Sequence, residues 1–208
     1  MDLTTGIFLV VVIIFSAIIH EVMHGMAADY LGDKTARYAG RLTLNPIPHI
    51  DLFGSILLPL TFVLTHSPIF FGWAKPVPYN PFNLRPGRFS EAIVAGAGPV
   101  SNFVIAIVFG TLIRAQIFDP TISAIFFLIV VVNVMLAIFN LIPIPPLDGS
   151  KVIEALLPRN MKHSYGNWRS QLEMQPMLGF GIVIVLILFL GSAFSSFIYL
   201  VANLIAGQ

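Results

Sequence analysis

The sequence has no cysteine, so disulfides, thiolate metal ligands and a cysteine nucleophile are excluded, and any metal site must use nitrogen and oxygen donors. Charge is scarce too. Only 10% of residues are charged against 57% hydrophobic, and the mean hydropathy is +0.89, far from the balance of a soluble domain. The chain therefore reads as an integral membrane protein. Long polar stretches are also missing, which leaves no room in 208 residues for a separate soluble domain and predicts one membrane-embedded domain over 1–208. The eleven Lys and Arg are scattered through loops and form no basic face, so nucleic acid is not an expected partner.

Long apolar runs are what the sequence does have. They predict an all-α polytopic membrane protein of about four transmembrane helices, at 6–28, 92–118, 122–142 and 177–206. The first run is too long for a signal-peptide core and lacks a small-residue cleavage site, so it is read as a retained span. A fifth run, 52–71, is interrupted by Gly54, Pro59, Ser67 and Pro68 and makes a poor straight helix. The connector "RYAGRLTLNPIPHID" alternates polar and apolar residues, which predicts a short strand or β-hairpin before Pro46. The proline-rich stretch 72–89 is expected to be an extended loop.

Loop charge decides how 52–71 is treated. Connectors 29–51, 72–89 and 148–175 are basic, whereas the turn at Asp119 and the N-terminal Asp2 are acidic. A full crossing by 52–71 would put the first two basic connectors on opposite faces, against the positive-inside bias. A re-entrant or broken segment places all three on the cytoplasmic side, with four spans and both termini outside.

Inside the first span lies "HEVMH". His20 and His24 are four apart, so on a helix they share a face and can bind one Zn²⁺ together, while Glu21 is placed to act as general base on a water activated there. Ionisable residues in a span are costly and point to function. A catalytic zinc needs a third protein ligand, and Asp29, Asp33, His49, Asp51 and Asp148 are the candidates. Asp29 and Asp33 read as end caps, and His49 and Asp51 as connector residues. Asp148 follows Pro143, Pro145 and Pro146, which forbid a regular helix near membrane depth. It stands either as the ligand or as the N-cap of the next helix. In "VAGAGPVSNFVIA", Gly96 and Gly98 permit close packing and Asn102 brings an amide into a span.

Taken together, "HEVMH", "GPVSN" at 98–102 and "NLIPIPPLDG" at 140–149 resemble the motifs of the site-2 protease family of intramembrane zinc metalloproteases, in a compact form without a PDZ or CBS module. The resemblance implies one zinc held by His20, His24 and Asp148, Glu21 as general base, and Asn140 and Asn102 as substrate-positioning or oxyanion residues. It implies hydrolysis of a peptide bond within or near a transmembrane helix of a substrate protein, in regulated intramembrane proteolysis. The expected setting is a prokaryotic cell membrane with the active site nearer the cytoplasm. The expected partners are the bilayer, an unwound substrate helix and, as a candidate, a second copy of the chain. Two rivals stand beside this reading, a divalent-metal transporter and a non-catalytic membrane adaptor. The transporter gives no reason for a glutamate at the second position of HExxH, whereas the adaptor would retain it from an ancestral site.

Overall fold

The computed structural model describes residues 3–57, 61 and 74–207. Among them, four helices are long and apolar enough to cross a membrane, as expected of an integral membrane protein. The chain divides into two compact units, Met1–Arg85 and Pro86–Gln208.

The first unit is built on helix α1, Leu3–Tyr30. Its 28 residues extend to roughly 42 Å at 1.5 Å per residue, more than a hydrocarbon core requires. Val12, Ser16, His20, His24 and Ala28 recur every four residues and are all buried, whereas Val11, Ile14 and Phe15 are exposed as a lipid-facing surface would be. The chain then turns at Gly32, whose φ of +112° is a conformation that L side chains rarely adopt. A short helix α2, Thr35–Tyr38, follows.

No strand forms among the described residues, so the expected hairpin around Arg37 to Thr43 is not seen there. The donors a ladder would use there are spent on helical and turn bonds, with the N–H groups of Tyr38, Ala39, Gly40 and Arg41 donating to the carbonyls of Lys34, Thr35, Arg37 and Ala36, each at 3.0 Å. Thr43 Oγ1 accepts from the Asn45 N–H at 3.1 Å, and Asn45 Oδ1 accepts from the Ile47 N–H at 3.1 Å. These bonds compete with strand pairing and lead into a 3₁₀ turn, Ile47–His49. The re-entrant reading of 52–71 falls largely on 58–60 and 62–71, which lie outside the described residues. Its beginning, Leu52–Leu57, is a π-helical turn started by Asp51, whose Oδ1 accepts from the Gly54 N–H at 2.7 Å.

Residues 74–80 form neither helix nor strand, with Asn80 extended, and a 3₁₀ turn, Pro81–Asn83, follows. This strip is tied to the end of α1 through Asp33. Its carboxylate accepts from the Thr35 N–H (3.1 Å) and hydroxyl (2.5 Å), the Asn80 N–H (2.7 Å) and the Asn83 side-chain amide (3.0 Å). Burial would raise the Asp33 pKa, but these donors outweigh it and hold the carboxyl below the ordinary 3.8.

The second unit comprises α3, Ser90–Arg114; α4, Pro120–Asn140; α5, Gly149–Leu156; α6, Arg159–Met174; and α7, Pro176–Ala206. Helices α3, α4 and α7 pack on one another around Ala106, Ile113, Val130, Val134, Ile198 and Ala202. Helix α4 starts where Asp119 Oδ1 accepts from the Thr121 N–H (2.8 Å) and the Ile122 N–H (3.2 Å), with Pro120 at its first turn. Those donors also hold the Asp119 carboxyl below its ordinary value. The amphipathic α6 is joined to α5 and α3 by Arg169, which pairs with Glu154 (2.6 Å), Glu173 (2.9 Å) and Glu91 (3.2 Å). Burial disfavours the guanidinium charge, and the three carboxylates more than compensate.

Candidate metal centre

The helix that carries "HEVMH" fixes its geometry. His20 and His24 stand one turn apart on the buried face of α1, their ring centroids 4.6 Å apart and their planes at 85°. Two imidazoles so arranged can offer nitrogens to one ion. Between them in sequence, Glu21 is half-buried on the neighbouring side of the helix. Its Oε2 accepts from the main-chain N–H of Val77 at 2.8 Å, so the strip after residue 74 reaches the expected general base.

Three of the five candidate third ligands, Asp29, Asp33 and Asp51, are committed to local bonds. Asp29 pairs with Arg37 at 2.6 Å and Lys34 at 3.2 Å. Asp33 is the four-donor hub already described, and Asp51 caps the π turn. His49 is buried, with its Nε2 2.9 Å from the Thr43 carbonyl, and that contact requires the Nε2–H tautomer. The His49 carbonyl in turn accepts from the Lys75 N–H at 2.8 Å, so this residue shapes the connector.

Asp148 belongs to the second unit. It precedes α5 with helical backbone angles, and its side chain makes no cap hydrogen bond to that helix, which removes the simple capping reading. The loop that delivers it, 141–148, is compact. Ile144 N–H donates to Ile142 O at 2.8 Å, Leu147 N–H to Ile144 O at 3.0 Å, and the Ser150 hydroxyl to Leu147 O at 2.7 Å. The Tyr165 hydroxyl donates to Pro143 O at 3.0 Å, and burial, followed by the Glu154 charge, pushes this phenol up to about 12.

The asparagines differ in setting. Asn102 is fully buried and its side-chain N–H donates to Asn133 Oδ1 at 2.9 Å, while the Asn133 amide donates to Ile129 O at 2.9 Å. Asn140 is half-buried and donates to Leu136 O at 2.9 Å within its own helix. Sequence reasoning misses Asn133 and the role of Val77 as a donor to Glu21. A lone amide inside "VVVNVML" was the available signal for the first, and the Pro-Val-Pro spacing for the second.

Comparison with known proteins bears on the chemistry. The sequence pattern of peptidase family M50 matches residues 111–188, a stretch that includes Asn140 and Asp148. YwhC of Bacillus subtilis (strain 168), provisionally named a zinc metalloprotease, is 34% identical over 192 residues, covering 88% of this chain and 80% of the relative. The chain belongs to peptidase family M50. Rip2 of Mycolicibacterium smegmatis, whose name is provisional in the same way, is 28% identical over 200 residues, covering 93% of this chain and 71% of that protein. The zinc metalloprotease MJ0392 of Methanocaldococcus jannaschii is 34% identical over 101 residues, 48% of this chain and 28% of that protein. No solved structure matches the chain. Site-2 protease family M50 is one of zinc metalloproteases, and the nitrogen and oxygen donors of a cysteine-free chain suit that metal.

Proposed function

We propose that this M50 member is an intramembrane metalloprotease that hydrolyses a peptide bond within or near a transmembrane helix of a membrane-protein substrate. The observation that carries the reading is the buried His20 and His24 pair, 4.6 Å between ring centroids, inside a helix apolar enough to span a bilayer. Polar ligands are expensive there unless they serve a site. Asp148 is the third ligand in this proposal. Its support is the local commitment of Asp29, Asp33 and Asp51, together with the missing cap bond at α5.

Zinc, when bound, supplies Lewis acidity that polarises a scissile carbonyl and acidifies water. Glu21 takes the proton from the attacking water and passes it to the leaving amine. Asn140 steadies the developing oxyanion with its amide. Asn102, paired to Asn133, supports this arrangement by fixing α3 to α4. A peptide bond in a helix is already hydrogen-bonded, so the substrate must unwind before attack. Strand addition would pair the unwound segment with an edge at Arg37 to Thr43 or at Val77 to Asn80, and the second is disfavoured, because Pro78 has no N–H and those of Val77 and Asn80 are already engaged by Glu21 and Asp33. The basic connectors favour a cytoplasmic side for the site in a prokaryotic membrane.

The test is zinc content and cleavage of a transmembrane-helix substrate by purified protein in detergent, wild type beside Glu21→Gln. Stoichiometric zinc in both, with cleavage at least about 100-fold slower in the variant, is the expected result. Equal cleavage by both proteins would refute the scheme. Zinc in both with cleavage in neither, and metal flux into proteoliposomes, would favour the transporter instead.

A further inference from the structure

Val77 lies between two prolines, so within 76–78 it carries the only main-chain N–H. That single donor meets Glu21 Oε2 at 2.8 Å. The strip bearing it is pinned on both sides. Upstream, the Arg41 guanidinium donates to Lys75 O at 2.7 Å and to Pro76 O at 3.3 Å, and the Lys75 N–H is held by His49 O. Downstream, the Asn80 N–H is held by Asp33 Oδ2 at 2.7 Å. On α1, Gly25 provides the clearance. A Cβ there would stand 2.7 Å from Val77 Cγ1 and 2.6 Å from Leu42 Cδ2, closer than real Cβ contacts.

We propose that Val77, through its main-chain N–H, is the positioning residue for the general base Glu21, with the Arg41, His49 and Asp33 tethers holding the donor in place. The proposal rests on the protease reading for its catalytic meaning. A carboxylate on a helix has freely rotating torsions, and one fixed donor on Oε2 selects the rotamer that presents Oε1 to water. The donor comes from the main chain of a strip with two proline-locked φ angles, so it cannot drift as a side chain would. This explains why His49 and Arg41 are buried although neither is a ligand in the proposed zinc set.

Two measurements test it. In protein labelled with ¹⁵N-valine, the Val77 amide is expected to exchange with solvent at least about tenfold more slowly in the wild type than in Glu21→Ala. In Glu21→Gln, which keeps an acceptor oxygen, the protection should persist. The second measurement is kinetic. Val77→Pro deletes the N–H and replaces the buried isopropyl group, and is expected to lower kcat by roughly tenfold to a hundredfold with KM and zinc content little changed. Val77→Ala keeps the donor, and its kcat should fall far less. Equal exchange rates in wild type and Glu21→Ala would overturn the proposal, as would a Val77→Pro enzyme with wild-type kcat. Exchange needs no turnover, so it judges the contact even if Val77→Pro fails to fold. A zinc-loaded wild type that cleaves nothing would instead sink the protease reading and leave the exchange result standing.

Discussion

Asn102 on α3 donates its side-chain N–H to Asn133 Oδ1 on α4 at 2.9 Å, and both side chains are fully buried. In an apolar span such an amide pair joins two helices, because neither group has water to turn to. Asn102→Ala is expected to lower resistance to denaturant in detergent by about 0.6 to 1.7 kcal/mol. The double variant with Asn133→Ala should lose less than the sum of the singles, since deleting one partner strands the other. Additive losses would mean that the two amides are not coupled.

Asp33 gives a pH dependence with a definite sign. Its folded-state pKa lies below the ordinary 3.8, so its contribution to stability is complete above that value and is lost as the pH falls through the depressed folded value. Protection of the 74–85 amides should therefore be flat from neutral pH to about 5 and decline below 4 in the wild type. In Asp33→Asn the strip should be less protected at neutral pH, and this part of the acid dependence should disappear. An unchanged acid profile in Asp33→Asn would show that other carboxylates hold the strip.

The four spans were legible because lipid imposes a length and a polarity that few residues violate, and α1, α3, α4 and α7 fall on the apolar runs. Their ends were less so. The run from 92 continues to Phe118 in sequence, yet α3 stops at Arg114, where the guanidinium reaches the Ile205 and Leu204 carbonyls and Gln116 takes a positive φ of 53°. The hairpin expected from alternation gave way to a helical turn whose carbonyls take the N–H groups of 38–41, a competition that alternation does not register. At the site, the spacing of His20, Glu21 and His24 is a property of one helix and could be read directly. The partners of Asn102 and Glu21 lie 31 and 56 residues away, and one sequence gives no measure of such distances.

Arg169 faces three carboxylates, of which Glu154 is the most buried, at 17% side-chain exposure against 35% for Glu91 and 36% for Glu173. Arg169→Ala would leave three like charges together, and a destabilisation of about 1–3 kcal/mol is expected after allowing for solvent screening. Arg169→Lys should recover part of it, since an ammonium keeps the charge but not the planar fork. Thermal unfolding of both variants at pH 7 and pH 4 checks this, because the penalty should shrink as the glutamates take up protons.

The turn that delivers Asp148 has a more severe steric requirement at Gly149. A Cβ at that position would lie 2.2 Å from Leu141 O and 2.6 Å from Ile142 O, both main-chain atoms that cannot rotate aside. Gly149→Ala therefore forces the 141–148 loop to open, breaking bonds such as Leu147 N–H to Ile144 O and displacing the aspartate next to it. If Asp148 is a zinc ligand, Gly149→Ala should lower both apo-protein stability, by about 1–3 kcal/mol as for other overpacked sites, and zinc content. Asp148→Ala separates the two effects. It removes the carboxylate without overpacking the loop, so it should reduce zinc with no steric opening of 141–148. Full zinc in Asp148→Ala would exclude the aspartate from the ligand set, whatever Gly149→Ala does.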